Sequence, residues 1–200
     1  MGIFGFTQTD KMFYQYFQLG WDHIIEWEAL DHILFILALC AVYTLKDWKQ
    51  VLVLVTAFTI GHSVTLALSV LNLVHISSFR IELLIPCTIL LTVIFNLFQK
   101  KFSPKSLRIN YFLALFFGLI HGLGFANGLK SMLGPKQTIL IPLLGFNLGL
   151  EAGQIVVVIF ILLAGWIAFN ALKINRREWV VFLSGAAFSV SLNMILQRIV

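Results

Sequence analysis

The stretch ILIPLLGFNLGLEAGQIVVVIFILLAGWIAFNAL, Ile139 to Leu172, holds a single charged residue, Glu151. It far exceeds the roughly 20 apolar residues that a helix needs to cross the hydrocarbon core of a bilayer. A helix apolar on every face is buried either in a large core or in lipid, and a chain of 200 residues has no core large enough. Lipid is the solvent this segment is built for. Its excess length predicts a tilt, a kink at its glycines or a projection beyond the membrane.

The same pattern repeats on either side. Apolar blocks run from about Leu30 to Leu45, Trp48 to Leu73, Ile81 to Phe98, from after Arg108 to Leu133, and from Trp179 to Leu196, with short charged turns between them. Pro86 lies inside the third and predicts a kink there. The segment Lys11 to Glu28 is aromatic but interrupted by Gln18, Asp22, His23 and Glu26, the composition of an amino-terminal helix at the membrane interface. The expected architecture is an all-α, polytopic transmembrane bundle of about six spans with that interfacial helix, forming a single domain over residues 1–200.

Composition agrees. Hydrophobic residues make up 60% of the chain and charged residues 12%, about half the soluble average, with a mean hydropathy of +0.94. Met1 to Gly20 lacks the basic start, apolar core and small-residue cleavage site of a secretory leader. The net charge of +5 resides in turns and forms no aromatic-interleaved stripe, which excludes nucleic acid as a partner. Cys40 and Cys87 lie in apolar runs without CxxC spacing and read as packing residues.

Cytoplasmic loops carry the excess of Lys and Arg. Lys46, Lys49, Lys100, Lys101, Lys105, Arg108, Lys173, Arg176 and Arg177 fall on one side, against Lys11, Arg80, Lys130, Lys136 and Arg198 on the other. That asymmetry predicts both termini outside the cytoplasm, in a membrane such as the bacterial inner membrane. Trp48 and Trp179 suit the interfacial aromatic belt.

Ionisable residues inside the apolar blocks are expensive and usually face a cavity, a partner or a pathway. Asp31 and His32 begin the first block, while His62, His121 and Glu151 stand near the middle of the second, fourth and fifth. Helical spacing gives each a polar stripe, with Ser63 beside His62, and with Asn147 and Gln154 four and three residues from Glu151. Gly118, Gly122 and Gly124 allow a neighbouring helix to approach His121. Imidazole with carboxylate suits nickel, cobalt or zinc, and the lack of thiolates disfavours copper(I). Asp31 either binds metal or orients an imidazole. Asp22, Glu26, Glu28 and Asp31 concentrate acid before the first block as a mouth that gathers cations. His75, beside Asn72 and Ser77, reads as a solvated loop residue. Ser63 reads as bonding a helix carbonyl, and Asn147 and Gln154 also suit a role as interhelical glue.

Taken together with the hydropathy pattern, HIIEWEALDHILF (23–35), FTIGHS (58–63), FGLIHGLGFA (117–126) and FNLGLEAGQ (146–154) resemble the HupE/UreJ family of membrane proteins, in particular its second, shorter-motif branch. The resemblance covers most of the chain and implies a nickel or cobalt permease of the kind that supports hydrogenase and urease. It implies that His23, Asp31 and His32 match an amino-terminal His/Asp-His signature, with His62, His121 and Glu151 as later polar positions. Better-known members have a His-Pro start and shorter spacing, whereas His23 precedes Ile24 and lies eight positions before Asp31.

Two functions use this ligand set, and a polar core that merely stabilises the bundle or a partner complex is a third reading. In a permease, a divalent transition metal is the substrate. In an intramembrane zinc hydrolase, the same cluster holds zinc, and Glu151 or Asp31 acts as general base. The expected partners are the lipid bilayer and a divalent metal ion, with a homo-oligomer allowed.

Overall fold

The computed structural model describes residues 7–26, 30–99, 104–133 and 138–199, with the backbone alone for residues 104–108. Among them are seven α-helices: α1 (Gln8–Ile25), α2 (Leu30–Cys40), α3 (Trp48–Val70), α4 (Ser78–Phe98), α5 (Pro104–Met132), α6 (Leu140–Asn170) and α7 (Arg176–Ile199). A 3₁₀ turn, Leu45–Asp47, leads into α3. Five stretches are long and apolar enough to cross a membrane: Leu45–Val70, Ser78–Phe98, Ile109–Met132, Leu140–Asn170 and Arg176–Ile199, with Leu30–Cys40 as a shorter apolar helix. The protein is an integral membrane helical bundle, and α4 runs on through Pro86.

The first apolar block is shorter than its sequence suggests. The helix ends at Cys40, and the Tyr43 amide turns back to the Cys40 carbonyl at 2.9 Å. At 1.5 Å per residue α2 is roughly 16 Å long, about half the hydrocarbon thickness. The other half is covered by α1. Thr7 and Asp10 cap the start of α1 reciprocally, and the helix runs parallel to the first half of α6, with Phe13 and Phe17 against Gly145 and Gly149, and Ile24 against Gly153. The expected amino-terminal helix is therefore woven lengthwise into the bundle, and its inner end lies level with the middle of α6. It stops at Ile25, where Glu26 takes extended backbone (φ −71°, ψ 150°), and α2 begins at Leu30. Asp31 and His32 consequently sit deep in the bundle, where the start of a full-length span would have lifted them to its end.

Two close seams organise the core. Along α1 and α6, a β-carbon at Gly20 would overlap the Phe146 carbonyl, and one at Gly149 the Phe17 carbonyl. Along α3 and α5, also parallel, Gly61 faces the Leu115 carbonyl, Gly118 the Phe58 carbonyl and Gly122 the His62 carbonyl with equally little room. Small residues let backbones touch, which drives helix association in lipid, where apolar burial contributes little.

A third pair, α4 and α7, is antiparallel and tied at both ends. At one end Arg177 donates to the carbonyls of Asn96 and Gln99, each at 3.0 Å, and to that of Leu97, satisfying the orphan carbonyls at the end of α4. At the other end Arg198 pairs with Glu82. The first end also gathers Tyr43, whose hydroxyl accepts from Asn110 at 3.3 Å, and the Val42 carbonyl, which accepts from Arg176. The opposite end gathers Tyr16, donating to the Met132 carbonyl at 3.3 Å, and Lys130, donating to Asn72. The described cations therefore segregate by end as their order in the chain predicts. Lys100, Lys101 and Lys136 lie outside the described residues, as do the side chains of Lys105 and Arg108.

Candidate metal centre

Each structural device above delivers an imidazole to one place. The α3–α5 seam brings His62 and His121 in from neighbouring turns, α1 contributes His23 one residue before Ile24 in its seam with α6, and α2 inserts His32 among them. The His32 ring lies 4.7 Å from that of His23, 4.9 Å from that of His121 and 6.3 Å from that of His62. Ligand atoms of His23, His32 and His62 all lie within 4.8 Å of one another, and so do those of Asp31, His32 and His121. The two triplets share His32.

The hydrogen-bond inventory is incomplete in a telling way. Asp31 Oδ1 accepts from the His32 backbone N–H at 2.7 Å and lies 2.9 Å from His32 Nδ1. Asp31 thus orients the ring, and His32 Nε2 is left buried without a partner. His23 Nε2, both nitrogens of His62 and His121 Nδ1 are buried and unpartnered as well. Leaving a buried polar atom unsatisfied costs about 1–3 kcal/mol, so a cluster of such atoms is expected to serve a ligand. Convergent imidazole lone pairs with a carboxylate are what a borderline divalent metal binds.

A cavity of about 300 Å³ reaches this cluster, lined by Leu19, Asp22, His23, Glu26, Asp31, His32 and Phe125. Three carboxylates therefore ring its approach. Leu19 also borders a larger hollow of about 920 Å³ beside Lys11, Tyr16 and Met132, at the end of the bundle where both described termini lie. One turn further towards the opposite end, the buried rings of Phe35, Phe58 and Phe117 close behind the imidazoles. Phe35 stands 5.2 Å from Phe58, 5.5 Å from Phe117 and 5.5 Å from His121. The cluster thus borders a cavity on one side and packed aromatic rings on the other.

Of the residues singled out in the sequence, the structure brings His23, Asp31, His32, His62 and His121 together. Glu151 belongs to neither triplet. Its Oε1 accepts from Thr56 of α3 at 2.7 Å on an exposed face, because the α6 face that reaches the imidazoles carries Phe146, whose ring stacks 5.9 Å from that of His62. Gln154 accepts from Thr59 at 3.0 Å, and Ser63 bonds the Thr59 carbonyl at 2.6 Å. Asn147 donates to the Leu143 carbonyl at 2.8 Å, and its side chain adjoins that of His62. Gly118 and Gly122 form the predicted close approach beside His121, and Gly124 packs against Ile85. His75 is exposed, and Cys40 and Cys87 are free thiols. Glu28 lies outside the described residues.

Sequence reasoning missed Phe125 and Phe146, stacked at 4.6 Å over the His23 side of the cluster, and Thr88 of α4, which touches His121 Nε2 at 3.4 Å. Nothing in one sequence marks these, since each depends on which face of its helix meets a neighbour.

The family model described as HupE / UreJ protein matches residues 4–198, nearly the whole chain. Neither a curated protein nor a solved structure matches it.

Proposed function

This chain belongs to the HupE/UreJ family, and from that membership we propose that it is a permease for a divalent transition metal of the nickel or cobalt type. The observation that carries the reading is the group of buried, unpartnered imidazole nitrogens around His32, two of whose rings, His23 and His32, line a cavity beside Asp22, Glu26 and Asp31. The family is associated with nickel and cobalt transport.

The chemistry follows from the order of groups along the cavity. Carboxylates at the mouth raise the local concentration of a hydrated cation. Neutral imidazoles then replace part of its water shell, first His23, His32 and His62. His32 also neighbours His121, so the ion moves on by taking the His121 Nδ1 lone pair while His32 Nε2, oriented by Asp31, keeps hold of it. Proton uptake by the imidazoles competes for the same lone pairs and favours release. The Lys and Arg excess orients the cavity mouth and both termini outside the cytoplasm, and a bacterial inner membrane fits that orientation.

The zinc hydrolase alternative gains no support from the arrangement. Glu151, one candidate base, is bonded to Thr56 away from the imidazoles, and Asp31 Oδ1 is already engaged by His32.

The test is metal flux into sealed vesicles containing the purified protein. Ni²⁺ or Co²⁺ should enter the lumen in proportion to the protein incorporated, and His32→Ala should abolish entry at equal incorporation. A tightly held metal with no flux in the wild type would overturn transport.

A further inference from the structure

We propose that Thr88 is a positioning residue that fixes His121 as its Nε2–H tautomer and so leaves the Nδ1 lone pair for the ion. The metal consequence rests on the permease reading above; the tautomer does not.

Thr88 lies on α4, two residues beyond Pro86 and only 5% exposed. Its hydroxyl has one hydrogen and two possible neighbours, the Ile85 carbonyl at 2.6 Å and His121 Nε2 at 3.4 Å. A carbonyl can only accept, and the shorter contact is the one with O–H···O length, so the hydrogen points to Ile85. Oγ1 then meets the imidazole with a lone pair, and Nε2 must carry the ring hydrogen. Neutral imidazole has one N–H. Nδ1 is therefore bare, and it is the His121 nitrogen that is buried without a partner.

His32 is arranged in the opposite sense. Asp31 accepts its Nδ1–H, which leaves Nε2 as the bare nitrogen. Two adjacent imidazoles thus present different ring nitrogens because one is held by a carboxylate on its own helix and the other by a hydroxyl on a neighbouring helix. Outer hydrogen bonds of this kind set ring orientation and ligand basicity in metal sites. Thr88 is itself anchored by the α4 backbone, and Thr92 donates to the Thr88 carbonyl at 3.0 Å one turn on. An ion on Nδ1 polarises the ring and makes Nε2–H a stronger donor, so the contact tightens on loading.

The experiment combines nitrogen NMR of histidine-labelled, metal-free protein with Co²⁺ titration of the full chain, for wild type, Thr88→Val and Thr88→Ser. Wild type and Thr88→Ser should show His121 with the hydrogen on Nε2. Thr88→Val, which keeps the shape and removes the acceptor, should show mixed tautomers and a Co²⁺ affinity lower by about 10–100-fold, with Thr88→Ser restoring wild-type affinity. A wild-type His121 protonated on Nδ1, an unchanged tautomer in Thr88→Val, or a loss in Thr88→Ser as large as in Thr88→Val would overturn the proposal. If wild type binds no Co²⁺, the permease reading fails and the nitrogen signals still decide the role of Thr88.

Discussion

Two groups of polar side chains lie one to two turns apart along α3, and they are finished differently. Between α3 and α6, Thr56 donates to Glu151 and Thr59 to Gln154, so each acceptor has its donor. Among α1, α2, α3 and α5, four imidazoles converge and leave five buried nitrogens without a partner. Both groups look alike as sequence, a few polar letters in apolar runs. What separates them is satisfaction: the first behaves as glue between helices, whereas the second bears an energetic cost that a bound ligand would offset.

The largest effect should come from His32→Ala, because His32 belongs to both triplets. Co²⁺ affinity measured by titration should fall by more than the roughly 10–100-fold that outer-shell partners are worth, with membrane abundance unchanged. Gly118→Leu tests the scaffold instead, since its side chain would collide with the Phe58 backbone. It should destabilise the protein by about 1–3 kcal/mol or more, read as a lower unfolding temperature in detergent. Asp31→Asn keeps the shape but weakens the acceptor that orients His32, and a drop in Co²⁺ affinity of about 10–100-fold is expected. An unaltered affinity would make Asp31 a bystander.

The smallest effects belong to the satisfied group. Thr59→Val should cost about 0.6 kcal/mol, the scale of a polar contact between membrane helices, and Glu151→Gln should leave Co²⁺ affinity at the wild-type value. Loss of metal binding in Glu151→Gln would erase the distinction between the two groups.

The bundle itself was legible because hydropathy reports composition, and composition decides whether a helix belongs in lipid. Four of the imidazole-site residues, Asp31, His32, His62 and His121, were legible too, since ionisable groups inside apolar runs are costly enough to be conspicuous; His23 was marked only by the family resemblance. Glu151 was misleading for a geometric reason. Its spacing to Asn147 and Gln154 correctly gave a polar stripe, but a stripe does not say which neighbour it faces, and this one turns to Thr56 and Thr59. The role of α1 was hidden by the same residues that matter, because Asp22, His23 and Glu26 make the segment look interfacial while they line an internal cavity. Thr88 carried no signal at all: one hydroxyl on a span is ordinary until its distance to His121 is known.

The glycine seams have a mechanical consequence. Backbones in direct contact leave little freedom within α1–α6 or within α3–α5, so each pair moves as a stiff rod. His23 rides on one rod and His62 on the other, with His32 on the short helix between them. If the proposed ion is held by all three, it would act as a clasp across the joint, and its presence would set how tightly the two pairs are coupled.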